Sequence, residues 1–118
     1  MDEHTPLAYN MDMVILETSI FTRLIKDLMS DDEYSDFQEV LLNRPDMGDL
    51  VQGSGGLGKV RWKLEGRGIS GGVRIIYYWV TADDQLRMLY AYPKGKQENL
   101  TQEQLAMLRK IVERWPDG

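Results

Sequence analysis

The sequence predicts an α+β domain: a small antiparallel β-meander with helices packed on one side, in the order β-α-α-β-β-β-α. Two observations carry this. Capping boxes at Ser30-Asp31-Asp32-Glu33 and Thr101-Gln102-Glu103-Gln104 each open an apolar stripe at helical spacing. Between them, residues 59–92 hold three β-rich segments joined by short polar turns, and consecutive strands on short turns pair antiparallel.

The elements follow in order. Residues 1–12 are polar and acidic, contain Pro6 and lack periodicity, so they are expected to form a flexible extension ahead of a single domain over 13–118. The run Met13-Val14-Ile15-Leu16-Glu17 predicts a short strand. Thr18 or Ser19 then caps a helix whose inner face is Ile20, Phe21, Leu24, Ile25 and Leu28. Ser30 caps a second helix with Tyr34, Phe37, Val40 and Leu41 as its stripe, ended by Asn43-Arg44-Pro45. Residues 48–58 are rich in glycine. A phosphate-cradling loop would need Gly-Lys-Ser/Thr opening a helix, whereas Lys59 opens the strand-like alternation Val60-Arg61-Trp62. Residues 59–64, 73–81 and 86–92 are the three meander strands. The middle one is almost entirely β-branched or aromatic. A final helix presents Leu105, Leu108, Ile111 and Val112 inward.

Composition narrows the chemistry. The chain has 118 residues, enough for one core. It has no cysteine, which excludes disulfides and thiolate metal sites and fits a reducing cytoplasm. No apolar run is long enough to span a membrane, and the first residues lack the core of a secretory signal, so the expected location is the cytoplasm. The one histidine, His4, lies in the extension, so a histidine base or zinc site is not expected. Carboxylates at metal-ligand spacing are also missing, and no cofactor is expected. The net charge of −5 hides an asymmetry: residues 1–49 carry a balance of −9 and residues 50–100 a balance of +4. Segregation of this kind can place a positive face on an acidic protein.

That face is the candidate site. Lys59, Arg61 and Lys63 alternate along one side of a strand, Arg67 sits in the following turn and Arg74 near the start of the next strand. Tyr90 and Tyr92 share a face at the end of the third, followed by Lys94 and Lys96. Such a surface can bind a phosphodiester backbone, stack a base, and stabilise charge developing at phosphorus. The same alternation is also what the solvent face of an antiparallel sheet shows.

Several blocks, in order, resemble the HigB-type branch of the RelE/ParE toxin superfamily. They are Glu17-Thr18-Ser19-Ile20-Phe21-Thr22, Leu28-Met29-Ser30-Asp31-Asp32-Glu33-Tyr34, Asn43-Arg44-Pro45-Asp46-Met47-Gly48-Asp49, Gly53-Ser54-Gly55-Gly56-Leu57 with Lys59-Val60-Arg61, and Gly71-Gly72-Val73-Arg74-Ile75-Ile76-Tyr77-Tyr78. The resemblance runs from about Met13 to the C-terminus. It implies a toxin that cleaves mRNA in the ribosomal A site without a metal. It also implies silencing by an antitoxin carrying a helix-turn-helix domain, with operator DNA reached only through that complex. By the same carry-over, Arg74 and Lys59 would hold the scissile phosphate and Arg61 would stabilise developing charge. Tyr92 would be the general base or a stacking group, next to Lys94, with Arg67 and Lys96 as outer backbone contacts. Relatives carry basic residues where this chain has Gly58 and Ile69-Ser70, which lowers the expected RNA affinity. The superfamily also holds ParE-type members that act on DNA gyrase, and a weakly catalytic domain kept for antitoxin binding is a further alternative. Arg87, which follows Asp83-Asp84, reads as a surface cation balancing local acid.

Overall fold

The computed structural model describes residues 13–64 and 72–115. The proposed extension over 1–12, Arg67 and the Ile69-Ser70 pair lie outside the described residues. The chain runs through β1 (Val14–Glu17), α1 (Ser19–Leu28), α2 (Asp31–Asn43), β2 (Asp49–Leu50) and β3 (Gly58–Lys63). It continues through β4 (Gly72–Val80), a single 3₁₀ turn (Thr81–Asp83), β5 (Gln85–Pro93) and α3 (Gln102–Arg114). The α+β class and the order of the main elements are those expected from the sequence. The short β2 is an addition.

The helix starts form as read. Thr18 Oγ1 accepts from the Phe21 N–H at 3.0 Å, and both capping boxes close reciprocally, Ser30 with Glu33 and Thr101 with Gln104. No helix among the described residues is long and apolar enough to cross a membrane.

The five strands lie in the order β1-β5-β4-β3-β2. The β3-β4-β5 meander is antiparallel, whereas β1 lies parallel to β5, so the sheet is mixed rather than wholly antiparallel. Chain direction explains this. After β1 the chain leaves the sheet through α1 and α2 and re-enters at the far edge, so β1 is free to add beside β5 in the same sense as β5. The Thr18 N–H donates to Met88 O, and Thr18 Oγ1 to Leu89 O, anchoring that junction.

The helices cover both faces of the sheet, not one. Phe21, Ile25, Phe37 and Leu41 of α1 and α2 pack with Val60, Val73, Ile75, Tyr77 and Met88. Leu108 of α3 packs with Ile76, Leu89 and Tyr92, which alternate with the first set and therefore point the other way. The cause is visible on β4, where Val73, Ile75 and Tyr77 alternate with Ile76 and Tyr78 and both sides are apolar. Acidic α2, with exposed Asp31, Asp32, Asp36 and Glu39, belongs to the first face. The second face is shared between α3 and the cations.

Candidate functional site

Strand register assembles the site. Arg61 on β3, Arg74 on β4 and Tyr92 on β5 are directly opposed across the sheet, so their side chains rise from one face. One row along lie Lys59, Ile76 and Tyr90. In the other direction Lys63 opposes Gly72, whose carbonyl accepts from the Lys94 N–H. Lys59, Arg61, Lys63, Arg74, Tyr90, Tyr92 and Lys94 are thus brought onto a single surface beside α3. Lys96 is exposed in the loop beyond β5, off this lattice.

Arg74 stands at the centre and is only 8% exposed. Among the described residues none accepts a hydrogen bond from it or forms an ion pair with it. Like charges directly opposite in a sheet are destabilising, and Arg61 opposes Arg74. The protein therefore keeps a buried cation against another cation. Burial, Arg61 and Arg74 together push the Lys59 ammonium below its ordinary range, with Glu98 and Asp49 opposing. Lys59 Nζ donates to Asn99 Oδ1 at 3.0 Å. Arg61 pairs with Asp49 at 2.7 Å, an exposed contact that neutralises it in the free protein.

The tyrosines behave differently from the sequence expectation. Tyr92 is 2% exposed and packed in the α3 cluster, so its ring presents no face for a base to stack on. Burial pushes its phenol upward, Arg74 and Arg61 oppose this, and the net shift is up. At neutral pH it remains protonated, and its O–H points to Glu98 O at 3.4 Å. A phenol held in this form serves the free protein as a donor and a packing group. Tyr90 is half-buried, and its hydroxyl accepts from Gln104 Nε2, so it fixes the start of α3 to the sheet.

Three further expectations change. Gly58 opposes Tyr77 on the face covered by α1 and α2, and a Cβ there would lie 2.9 Å from Tyr77 Cε1. The missing charge at position 58 therefore takes nothing from the basic face. Arg87 is buried at 3% exposure rather than at the surface. Its guanidinium donates twice to Gln85 Oε1 and lies 5.0 Å from the centroid of the Trp115 ring, clasping β5 to the end of α3. The glycine-rich loop is internally satisfied: Ser54 Oγ accepts from the N–H groups of Gly56 and Leu57 and donates to Val51 O. Those amides are taken, which removes the phosphate-cradle reading.

Sequence reasoning missed Asp49, Asn99 and Glu98, the polar neighbours of the cations. Only Asp49 carried any signal, as the last residue of a recognised block. Among the described residues no group of three His, Cys, Asp or Glu side chains is gathered as a metal site would require. Arranged in this way, the face can hold a phosphate on Arg74 and Arg61, with an amine of lowered basicity at one side and a second ammonium at the other.

A solved structure, the archaeal RelE-RelB complex from Pyrococcus horikoshii OT3, is similar at 15% identity and a TM-score of 0.49, covering 73% of this chain and 99% of that one. Residues 13–117 match the model of the family described as the RelE toxin of the RelE/RelB toxin-antitoxin system, and the chain belongs to that family.

Proposed function

We propose that this chain is the toxin of a toxin-antitoxin pair and acts as a ribosome-dependent, metal-independent mRNA endonuclease of the cytoplasm. The observation that carries the reading is the opposition of Arg61 and Arg74, with Arg74 more than nine-tenths buried. Two guanidiniums held side by side against their own repulsion favour an anion between them, and a planar fork suits a phosphate.

The register supports this reading. Lys59 and Lys94 lie on opposite sides of Arg74, Lys59 on β3 and Lys94 just past the end of β5, displaced in opposite directions along the sheet. Their Cα atoms are ~16 Å apart by strand spacing, a span that two lysine side chains can close upon a phosphate. In-line displacement at phosphorus needs a base on one side and an acid on the other. Lys59, as the neutral amine, takes the proton of the 2′-hydroxyl. The 2′-oxygen forms a bond to phosphorus as the bond to the 5′-oxygen breaks, and Lys94 gives its proton to that leaving oxygen. The products are a 2′,3′-cyclic phosphate and a 5′-hydroxyl. Arg74 and Arg61 hold the phosphate oxygens as charge grows on them, worth on the order of a hundredfold or more per donor. Lys63 contacts the flanking backbone. Tyr92 supports Arg74 from β5, and Tyr90 supports the wall formed by α3. Arg67 and Lys96 are assigned as outer backbone contacts.

The partner is an antitoxin, in keeping with the family. By the resemblance it carries a helix-turn-helix domain through which the pair meets operator DNA. Induction of the chain without antitoxin, followed by mapping of RNA 5′ ends, tests the reading. Growth arrest with cuts inside translated codons supports it. Arrest with intact mRNA and gyrase-linked DNA cleavage would replace it with the ParE-type activity, and normal growth with antitoxin binding intact would leave a regulatory domain only.

A further inference from the structure

Beside the cations, between the β2-β3 edge and the start of α3, lies a cleft of ≈ 370 Å³. Lys59 and Arg61 form one wall, where the cleft joins the phosphate face. Leu50, Leu100 and Leu105 supply apolar surface, and Gln52, Asn99 and Gln102 supply carboxamides. Leu100 and Leu105 also pack against the Ile76-Leu89-Tyr92 cluster, but Leu50 belongs to neither core cluster. Leu50 is 76% exposed on a strand of two residues, which is where a large apolar side chain is least useful to a core. Gln52 and Gln102 make no side-chain hydrogen bond to a described residue, and Asn99 uses only its oxygen, toward Lys59.

Resting on the ribonuclease reading, we infer that this cleft is a base-recognition subsite that takes the nucleobase beside the phosphate held on Arg74 and prefers bases with an exocyclic amine. Three features select a base over a second phosphate. The apolar side chains offer flat contact to a ring. Each carboxamide presents a donor and an acceptor, the pairing needed at a base edge. Asp49 lines the cleft and repels a phosphate, while its oxygens and those of the carboxamides accept from an N–H. Position agrees as well. The cleft begins one strand and ends two strands from Arg74, ~10 Å by strand spacing, which is the reach from a phosphate to the base of its own nucleotide. Adenine, cytosine and guanine carry the amine, and uracil does not.

The test is an NMR titration of the intact protein with 2′-O-methylated dinucleotides, which bind without being cut, and with inorganic phosphate alone. Amine-bearing dinucleotides are expected to shift the side-chain amide signals of Gln52, Asn99 and Gln102. They should bind about tenfold tighter than the uracil dinucleotide. Phosphate alone should move only the arginine signals. In Leu50→Ala/Gln102→Ala, neither residue belonging to the catalytic set, the preference should shrink to within about twofold. Cleavage on programmed ribosomes should then lose base selectivity, through a fall on codons with amine-bearing bases while the rate on uracil codons is kept. Equal affinity for uracil and adenine, or cleft shifts reproduced by phosphate alone, overturns the subsite whether or not the protein cuts RNA. Cleft shifts with the expected preference, in a protein that leaves ribosome-bound mRNA intact, uphold the subsite and overturn the nuclease reading instead.

Discussion

Replacing Arg74 by methionine is expected to move stability and activity in opposite directions. Arg74 is 8% exposed, faces Arg61 across the β3-β4 pair, and has no acceptor among the described residues. Methionine keeps much of the volume while removing both the desolvation cost and the repulsion. Replacing buried charge by apolar side chains is commonly neutral or stabilising by 1–4 kcal/mol. With Arg74 retaining a little exposure, about 1 kcal/mol is the expected gain, a rise in Tm of roughly 4 °C for a domain of this size. The same change removes a donor from the proposed phosphate site, so cleavage on programmed ribosomes should fall on the order of a hundredfold. The residual activity carries a second signature. Arg74 is one of the causes holding Lys59 down, so its loss returns Lys59 toward its ordinary value of 10.5. If Lys59 is the base, activity rises with pH up to its pKa, and in Arg74→Met that ascending limb shifts to higher pH. Circular-dichroism melting and single-turnover cleavage measure the two quantities, with Lys26→Met on exposed α1 as the control. A variant that melts lower while losing activity would make Arg74 a structural residue. One that cuts within about threefold of the parent would remove it from the site.

Arg87→Ala, by contrast, should cost about 1–3 kcal/mol, because it abolishes the hydrogen bonds to Gln85 and the stack on Trp115. Urea midpoints should fall while cleavage per folded molecule is unchanged, and an unchanged midpoint would refute the clasp. Gly58→Lys should destabilise by roughly 1–3 kcal/mol through collision with the Tyr77 ring, with no gain in RNA affinity; tighter binding at unchanged stability would place position 58 on the basic face after all. Asp49→Asn frees Arg61 from an exposed ion pair worth about 0.5 kcal/mol, so inorganic phosphate should bind about twofold tighter, and weaker binding would mean that Asp49 positions Arg61 rather than competes for it.

Much of the fold was legible because its signals are local. Ser30 and Thr101 announce their helices through side chains three residues away, and the β-rich composition of 73–81 announces a strand. The parallel addition of β1 was not legible, since a strand of four residues carries no mark of its neighbour. Two-sided cover is written in β4, whose apolar residues fall on both faces and call for helices on both. In the candidate site, the alternation of Lys59, Arg61 and Lys63 puts these side chains on one face, and the register sets Arg74 opposite Arg61 and the Lys94 N–H on Gly72 O. What alternation leaves out is depth. It does not distinguish buried Tyr92 and Arg87 from exposed Lys94, because burial comes from where α3 lands. The same absence hid Asp49 and Asn99, brought to the cations from β2 and the loop before α3 by tertiary contact alone.

The central claim is that the Arg61-Arg74 face cuts mRNA in the ribosome. Purified protein mixed with a defined mRNA, either free or programmed into ribosomes with the A site empty, tests this most directly. The expected result is a single cut within the A-site codon, bearing a 2′,3′-cyclic phosphate and a 5′-hydroxyl, on the ribosome-bound message only. Intact message on the ribosome at excess protein, or equal cutting of free and bound RNA, would contradict it.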